Sequence, residues 1–290
     1  MENTDRRAAG AAAMILSSVL FAVMALLIRL AQDVDPFLTS FVRFSVGACV
    51  VGTMALTGRT KLAFTDKSTL LLRGLFGGTA VYLFFLSINR IGIARGSVIS
   101  NMFPVFAALG GALFLGEKVK PLTWAFLAAS LCGVALINGG EKILSWDPWT
   151  LLALLGAVLS GLAIVCVRKA TRTDNSESIF MSQSLIGFWI VVVPAFSRPS
   201  PLTVPTSLLL LGVGLTAAVA QLLMTWSYRH LSVAVGSLLS MVTPLVSVVF
   251  GVLLFREPLG VKGGAGMALI LASCVCMVLY NRQRACEAGR

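Results

Sequence analysis

The chain has 290 residues, of which 57% are hydrophobic and only 12% are charged. Soluble domains carry about 25% charged residues, so this chain has too little polar surface to face water on all sides, which excludes a soluble enzyme. Its net charge of +11 would suggest nucleic acid as a partner in a soluble protein, but the positions of the basic residues give another explanation.

Ten apolar segments follow one another along the chain, separated by short polar or Pro/Gly-rich stretches. They cover residues 8–28, 36–57, 70–88, 92–115, 121–138, 148–167, 179–196, 206–227, 231–255 and 259–280. A membrane-spanning helix needs about 20 apolar residues, and lipid forces such a segment to be helical because its backbone finds no water. We therefore predict ten transmembrane helices and no sizeable soluble domain.

The basic residues predict the orientation. If the N-terminus is cytoplasmic and the spans alternate, fifteen of the 23 Lys and Arg residues lie in cytoplasmic segments and six in external ones. Cytoplasmic loops of membrane proteins are enriched in Lys and Arg. Both termini are expected in the cytoplasm, and the chain is expected in a bacterial-type inner membrane.

The two halves of the chain repeat each other. Residues 93–117 and 233–257 align without gaps at an offset of 140, with eight identities that include Gly96 with Gly236 and Pro104 with Pro244. Unrelated segments of this composition share about two. We predict one five-helix repeat in residues 1–140 and a second in 141–290. Because five is odd, the second repeat is inverted, as in many alternating-access transporters.

These features resemble the drug/metabolite transporter superfamily, in its ten-helix EamA-like branch. The resemblance covers about residues 10–280 and rests on Phe41-Val42-Arg43-Phe44, on Leu72-Arg73-Gly74, and on the two copies of the run from Gly96 to Glu117. It implies two five-helix halves around a central cavity, with the fifth and tenth helices peripheral. Arg256 stands where the first repeat has Gly116, which weakens the second copy of the motif.

Two prolines, Pro104 and Pro244, lie inside the fourth and ninth spans. A proline removes one helix hydrogen bond and displaces the carbonyl four residues earlier, here that of Ser100 and Ser240. We interpret the two prolines as hinges that widen a cavity, and Ser100 and Ser240 as further candidates for substrate binding. The alternative is that both are ordinary prolines of membrane helices, where serine hydroxyls supply the hydrogen bonds that the backbone loses.

Arg43 and Arg95 are the basic residues predicted inside spans, where charge is costly. They are candidates for binding a carboxylate or phosphate on a substrate, and snorkelling to the interface is the alternative. Further candidates for substrate binding are polar or aromatic residues near the middle of their spans, with packing or interhelical hydrogen bonding as the other interpretation: Phe21, Tyr82, Asn101, Ser160 and Gln221.

Glu117 and Glu257 end the fourth and ninth spans. We expect each carboxylate to accept N–H groups of the following helix, and a gating salt bridge with Lys118, Lys120 or Arg256 is the alternative. The sequence holds one histidine and no nucleotide-binding or nucleophile–base motif, so no catalytic residue, metal or cofactor is expected.

The sequence therefore predicts a secondary transporter that moves a small polar or amphipathic metabolite, such as an amino acid or related anionic solute. An accessory or lipid-translocating subunit is the alternative. The expected partners are the substrate and the lipid bilayer, with no nucleic acid, and a homodimer is left open. Because no Asp or Glu lies inside a predicted span, facilitated diffusion or exchange is favoured over proton coupling.

Overall fold

A computed structural model describes residues 2–91, 99–137, 148–197, 202–256 and 260–287. Eleven helices can be described in this part of the chain. These are α1 (Glu2–Leu30), α2 (Pro36–Leu56), α3 (Lys67–Ile91), α4 (Phe103–Leu115), α5 (Pro121–Ile137), α6 (Pro148–Ala170), α7 (Ser176–Ala195), α8 (Val204–His230), α9 (Val233–Leu239), α10 (Val242–Phe255) and α11 (Val261–Glu287).

Seven segments of the described chain are long and apolar enough to cross a membrane. By length and composition, α1, α2, α6, α7, α8, α11 and the segment Val233–Phe255 qualify as spans, and α4 and α5 are shorter apolar helices. α3 has 25 residues, a length of about 37 Å at the usual rise. Large apolar side chains such as Leu113, Trp189 and Val193 are exposed, as expected where lipid is the solvent. The predicted all-helical membrane fold is confirmed.

Polar residues begin several helices at the predicted boundaries. Asp35 accepts a hydrogen bond from Phe37 N at the start of α2, and Asn175 accepts one from Ser178 N at the start of α7. Each side chain satisfies a backbone donor that the first helical turn leaves without a partner. The two caps are 140 positions apart, so the equivalent helices α2 and α7 begin in the same way.

The fourth and ninth spans are broken rather than kinked, which corrects the interpretation of the prolines. Residues 101–102 form a turn before α4, and Ser240 and Met241 separate α9 from α10. Pro104 is the second residue of α4 and Pro244 the third residue of α10, where a missing N–H costs no helix hydrogen bond. The Ser240 carbonyl is not freed, because it accepts a hydrogen bond from Thr243 N at 3.0 Å.

Helices of the two repeats interleave. The most extensive contacts between described helices join α1 to α8, α3 to α6, α5 to α11 and α2 to α7. Each of these pairs takes one helix from each repeat. The pairs α1–α8 and α3–α6 exchange under the predicted symmetry, because α6 corresponds to α1 and α8 to α3. This pattern is expected for two halves related by a twofold axis.

The ends of α4 and α10 share a left-handed residue. Gly116 has φ 65° and ψ 22°, and Arg256 has φ 52° and ψ 34°. The N–H of each bonds the carbonyl of an equivalent glycine, Gly111 or Gly251. Glycine adopts this conformation freely, whereas a side chain costs about 1–2 kcal/mol. The two helix ends therefore share one backbone geometry, although only the first has a glycine there.

Candidate functional site

Arg43 lies in the outer half of α2 if the N-terminus is cytoplasmic, about 10 Å along the axis from the start of the helix. Its side chain is half-buried. The guanidinium carbon is 6.0 Å from the centre of the Phe21 ring and 5.9 Å from that of Phe44, near the outer limit for cation–π attraction. Arg43 has no hydrogen bond to a described residue. The structure thus brings together two predicted site residues, Arg43 and Phe21.

Arg73 is a second intramembrane cation. It is one of the fifteen basic residues counted above as cytoplasmic, although the predicted span 70–88 already includes it. α3 begins at Lys67, so Arg73 is about 9 Å inside the helix, and only 3% of the residue is exposed. Its Nη2 donates a hydrogen bond of 2.6 Å to Oε1 of Gln183 in α7, and its Nε has no partner. Within the described ranges no ion pair joins Arg73 to a carboxylate.

Glycines allow α2, α3 and α7 to approach one another around this pair. A Cβ atom at Gly187 of α7 would lie 2.6 Å from the Phe44 ring of α2. A Cβ atom at Gly77 of α3 would collide with Nη1 of Arg73. The guanidinium therefore occupies the space that Gly77 leaves open, between two helices of the first repeat and one of the second.

The remaining predicted site residues are dispersed. Tyr82 stacks against Phe37 with ring centres 5.4 Å apart. Gln221 is buried in α8 and its Nε2 has no partner, and Ser160 is half-buried in α6. The others lie at the two helix breaks: Ser100, Asn101 and Ser240 are half-buried there, and the Ser240 hydroxyl donates to the Ser237 carbonyl. Arg95 and Glu257 lie outside the described residues.

Glu117 contacts neither the following helix nor the basic residues predicted as its partners. Its Oε1 is 3.2 Å from Nε of Arg168 at the end of α6, and its Oε2 accepts a hydrogen bond of 2.8 Å from Val233 N at the start of α9. Arg168 also donates to the carbonyl of Tyr228 at 2.7 Å. The carboxylate does accept a helix N-terminal N–H, but the helix belongs to the other repeat.

Asp174 joins the same face of the molecule. We call this the N-terminal face, defined by residues 57–66, 116–120, 171–175 and 231–232. The Asp174 carboxylate accepts hydrogen bonds from Thr65 N at 2.7 Å, Asp66 N at 3.2 Å and the Thr173 hydroxyl at 2.6 Å. Burial by itself raises the pKa of this carboxyl, but these hydrogen bonds outweigh it and hold the pKa below the ordinary value. Contacts between the two halves of the chain thus join the loops of the N-terminal face.

An open groove of about 690 Å³ lies elsewhere, between α2 and α8. Its lining is mainly apolar and includes Val46, Val50, Leu211 and Leu215. Leu211 and Leu215 are also exposed at the protein surface. This groove suits a lipid chain better than a polar solute, and neither Arg43 nor Arg73 lines it.

No sequence pattern described above indicates Arg73, Gln183 or Arg168 as a functional residue. One signal for Gln183 was available, because the repeat offset of 140 pairs it with Arg43. Arg73 lies only three residues after the predicted start of its span at residue 70, and it was therefore counted with the basic residues of the cytoplasmic side. The partners of Arg168 lie 51 and 60 residues away along the chain, and no local sequence pattern indicates such contacts.

Comparison with known proteins identifies the family to which this sequence is similar. The sequence model of the EamA-like transporter family matches residues 8–139 and 147–279. The chain is 26% identical to the pseudopaline exporter CntI of Pseudomonas aeruginosa, over 91% of this chain and 93% of that one. It is 28% identical to a riboflavin transporter of Rhizobium johnstonii, over 62% and 60% of the two chains.

A solved crystal structure has the same fold. It superposes with a TM-score of 0.80 and 19% identity, and the match covers 96% of this chain and 99% of that one. At this identity the likeness concerns the fold alone. The double match to the family model and the transporter relatives agree with the resemblance found in the motifs. The chain therefore belongs to the EamA-like transporter family and is a multi-pass membrane transporter, not an enzyme.

Proposed function

We propose that this protein is a secondary transporter for a small metabolite that carries a carboxylate or phosphate group, working by alternating access. The observation that carries the proposal is the half-buried guanidinium of Arg43 inside α2, with no hydrogen bond to a described residue. Charge inside a membrane is costly, and a guanidinium binds carboxylate and phosphate oxygens in a planar, two-pronged geometry. An anionic solute would supply the missing partner.

The surrounding charges favour the same substrate class. No Asp or Glu lies in the middle of a described helix, so the electrostatic field around Arg43 is not cancelled by a neighbouring carboxylate. The same distribution disfavours proton coupling, which usually uses intramembrane Asp, Glu or His. We propose exchange or facilitated diffusion, driven by the solute gradient itself.

The test is counterflow in liposomes that contain the purified protein, with the proton gradient clamped by an ionophore. A panel of labelled anionic and neutral metabolites should give saturable counterflow for anions. Arg43→Gln should reduce that rate about tenfold or more, because a charge-assisted hydrogen bond contributes about 1.5–3 kcal/mol. Arg172→Gln, which removes an exposed arginine from a loop, is the matched control.

Normal counterflow in Arg43→Gln would contradict the role of Arg43, and absence of counterflow by any solute would favour the accessory or lipid-translocating alternative. A requirement for an imposed pH gradient would contradict the uncoupled mechanism.

We also propose that the N-terminal face lies in the cytoplasm. Arg59, Lys61, Lys118, Lys120 and Arg172 all lie on that face, as the enrichment of cytoplasmic loops in Lys and Arg predicts. A reporter that is active only in the periplasm, fused after Arg290, should remain inactive. The same reporter placed after a leader peptide verifies that it works, and a strong periplasmic signal from the fusion would reverse the orientation.

A further inference from the structure

Arg73 carries a buried positive charge that the described protein does not neutralise. Only 3% of the residue is exposed, its Nε has no partner, and its one hydrogen bond goes to a neutral amide. Buried charges in proteins are normally paired, because removing an ion from water is costly. An arginine held in this way lacks a counter-ion that an anion from outside the chain can provide.

Gln183 orients this arginine without cancelling its charge. The bond of 2.6 Å from Nη2 to Oε1 fixes the guanidinium between α3 and α7, and the absence of a side chain at Gly77 leaves room for Nη1. Glutamate differs from glutamine only in its terminal group, and it would form an ion pair with Arg73 at the same place. Because the amide of Gln183 is neutral, the positive charge of Arg73 remains without a counter-ion.

Arg43 lies in the same region as Arg73, because its guanidinium carbon is 5.9 Å from the centre of the Phe44 ring, and that ring packs on Gly187 of α7, four residues after Gln183. Like charges in a low-dielectric interior repel each other strongly. Two arginines with no carboxylate partner create a region of positive potential between α2, α3 and α7. A ligand with a single negative charge would neutralise only half of it.

We infer that Arg73, Gln183 and Arg43 form the binding site for a substrate with two negative charges, a dicarboxylate or a phosphorylated metabolite. One anionic group accepts hydrogen bonds from the free N–H groups of Arg73, and the other faces the guanidinium of Arg43. This inference rests on the proposed function, in which the substrate is anionic. Because Arg73 is buried here, the anion reaches it when α7 of the second repeat moves away from α2 and α3.

The experiment uses the purified full-length chain in a neutral detergent, with sodium sulfate as the dianionic probe. Its melting temperature is measured over millimolar sulfate against sodium chloride at equal ionic strength. The wild type should show a saturable rise with sulfate, since a ligand that binds the folded state stabilises it. Gln183→Glu should lose this rise while being at least as stable as the wild type without sulfate, because the new carboxylate neutralises Arg73.

Arg73→Lys provides a second measurement if Gln183→Glu does not fold. Lysine keeps the charge but lacks the two-pronged geometry, so half-saturation should require about tenfold more sulfate or above. Arg172→Gln is the control for general electrostatic effects and should keep the wild-type response.

A purely structural role for Arg73 predicts a different outcome, in which its variants are less stable but respond to sulfate as the wild type does. That result overturns the inference, and so does a wild type with no saturable rise. Failure of this site is distinguishable from failure of the proposed function. Anion counterflow that persists in Gln183→Glu leaves the function standing without this site, whereas sulfate binding without counterflow leaves the site standing without transport.

Discussion

Asp174 is a buried carboxylate whose hydrogen bonds tie the loop between α2 and α3 to the loop between α6 and α7. Its pKa in the folded protein lies below the ordinary value of 3.8. A carboxyl with a lowered folded pKa stabilises the fold above its unfolded pKa, and this contribution is lost as the pH falls through the folded pKa. The N-terminal face should therefore be sensitive to acid.

We expect the melting temperature of the wild type to fall more steeply than that of Asp174→Asn between about pH 5 and pH 3. At neutral pH the variant should be the less stable of the two, because an amide cannot accept all the hydrogen bonds of the carboxylate. Asp33→Asn, which changes an exposed carboxylate between α1 and α2, should follow the wild type. Parallel curves for Asp174→Asn and the wild type would show that Asp174 does not contribute this acid sensitivity.

At the scale of helices, Glu117 links the end of α4 to α6 and α9. Glu117→Ala should loosen these contacts and let water reach Cys166, which is buried two residues before Arg168. The test uses a variant that keeps Cys166 as its single cysteine. A water-soluble maleimide should label Cys166 several-fold faster when Glu117→Ala is added to this variant. Lys118→Ala, a change at the exposed neighbour, is the control, and equal labelling of both variants would contradict a closing role for Glu117.

The helices were predictable because each is an apolar run between polar boundaries, which lipid and backbone hydrogen bonding turn into a span. The break before α10 was not, because a proline in an apolar run is compatible with either a kink or a new helix start. The site was only partly predictable. Arg43 stood out as a charge within an apolar segment, whereas the pairing of Arg73 with Gln183 across 110 positions is created by tertiary packing.

At the scale of the whole molecule, we expect that residues 1–140 and 141–290 do not fold as independent domains, although the family model matches a segment of each. The largest contacts join helices of different repeats, so a single repeat leaves its small-residue and polar surfaces without partners. We expect fragments 1–140 and 141–290, expressed separately, to aggregate or be degraded. Expressed together, they should co-purify as one particle with the elution volume of the intact chain, and a monodisperse single fragment would contradict this expectation.

The interleaving of the repeats also has a consequence for how the protein is made. Arg73 emerges from the ribosome 110 residues before Gln183, and synthesis at about 5–20 residues per second makes this interval roughly 5 to 20 seconds. During that time α3 must sit in or near the membrane with a cation that its final neighbour does not yet hold. We therefore expect the first five helices to reach their final packing only after α7 has been made, because Arg73 cannot bond Gln183 before then.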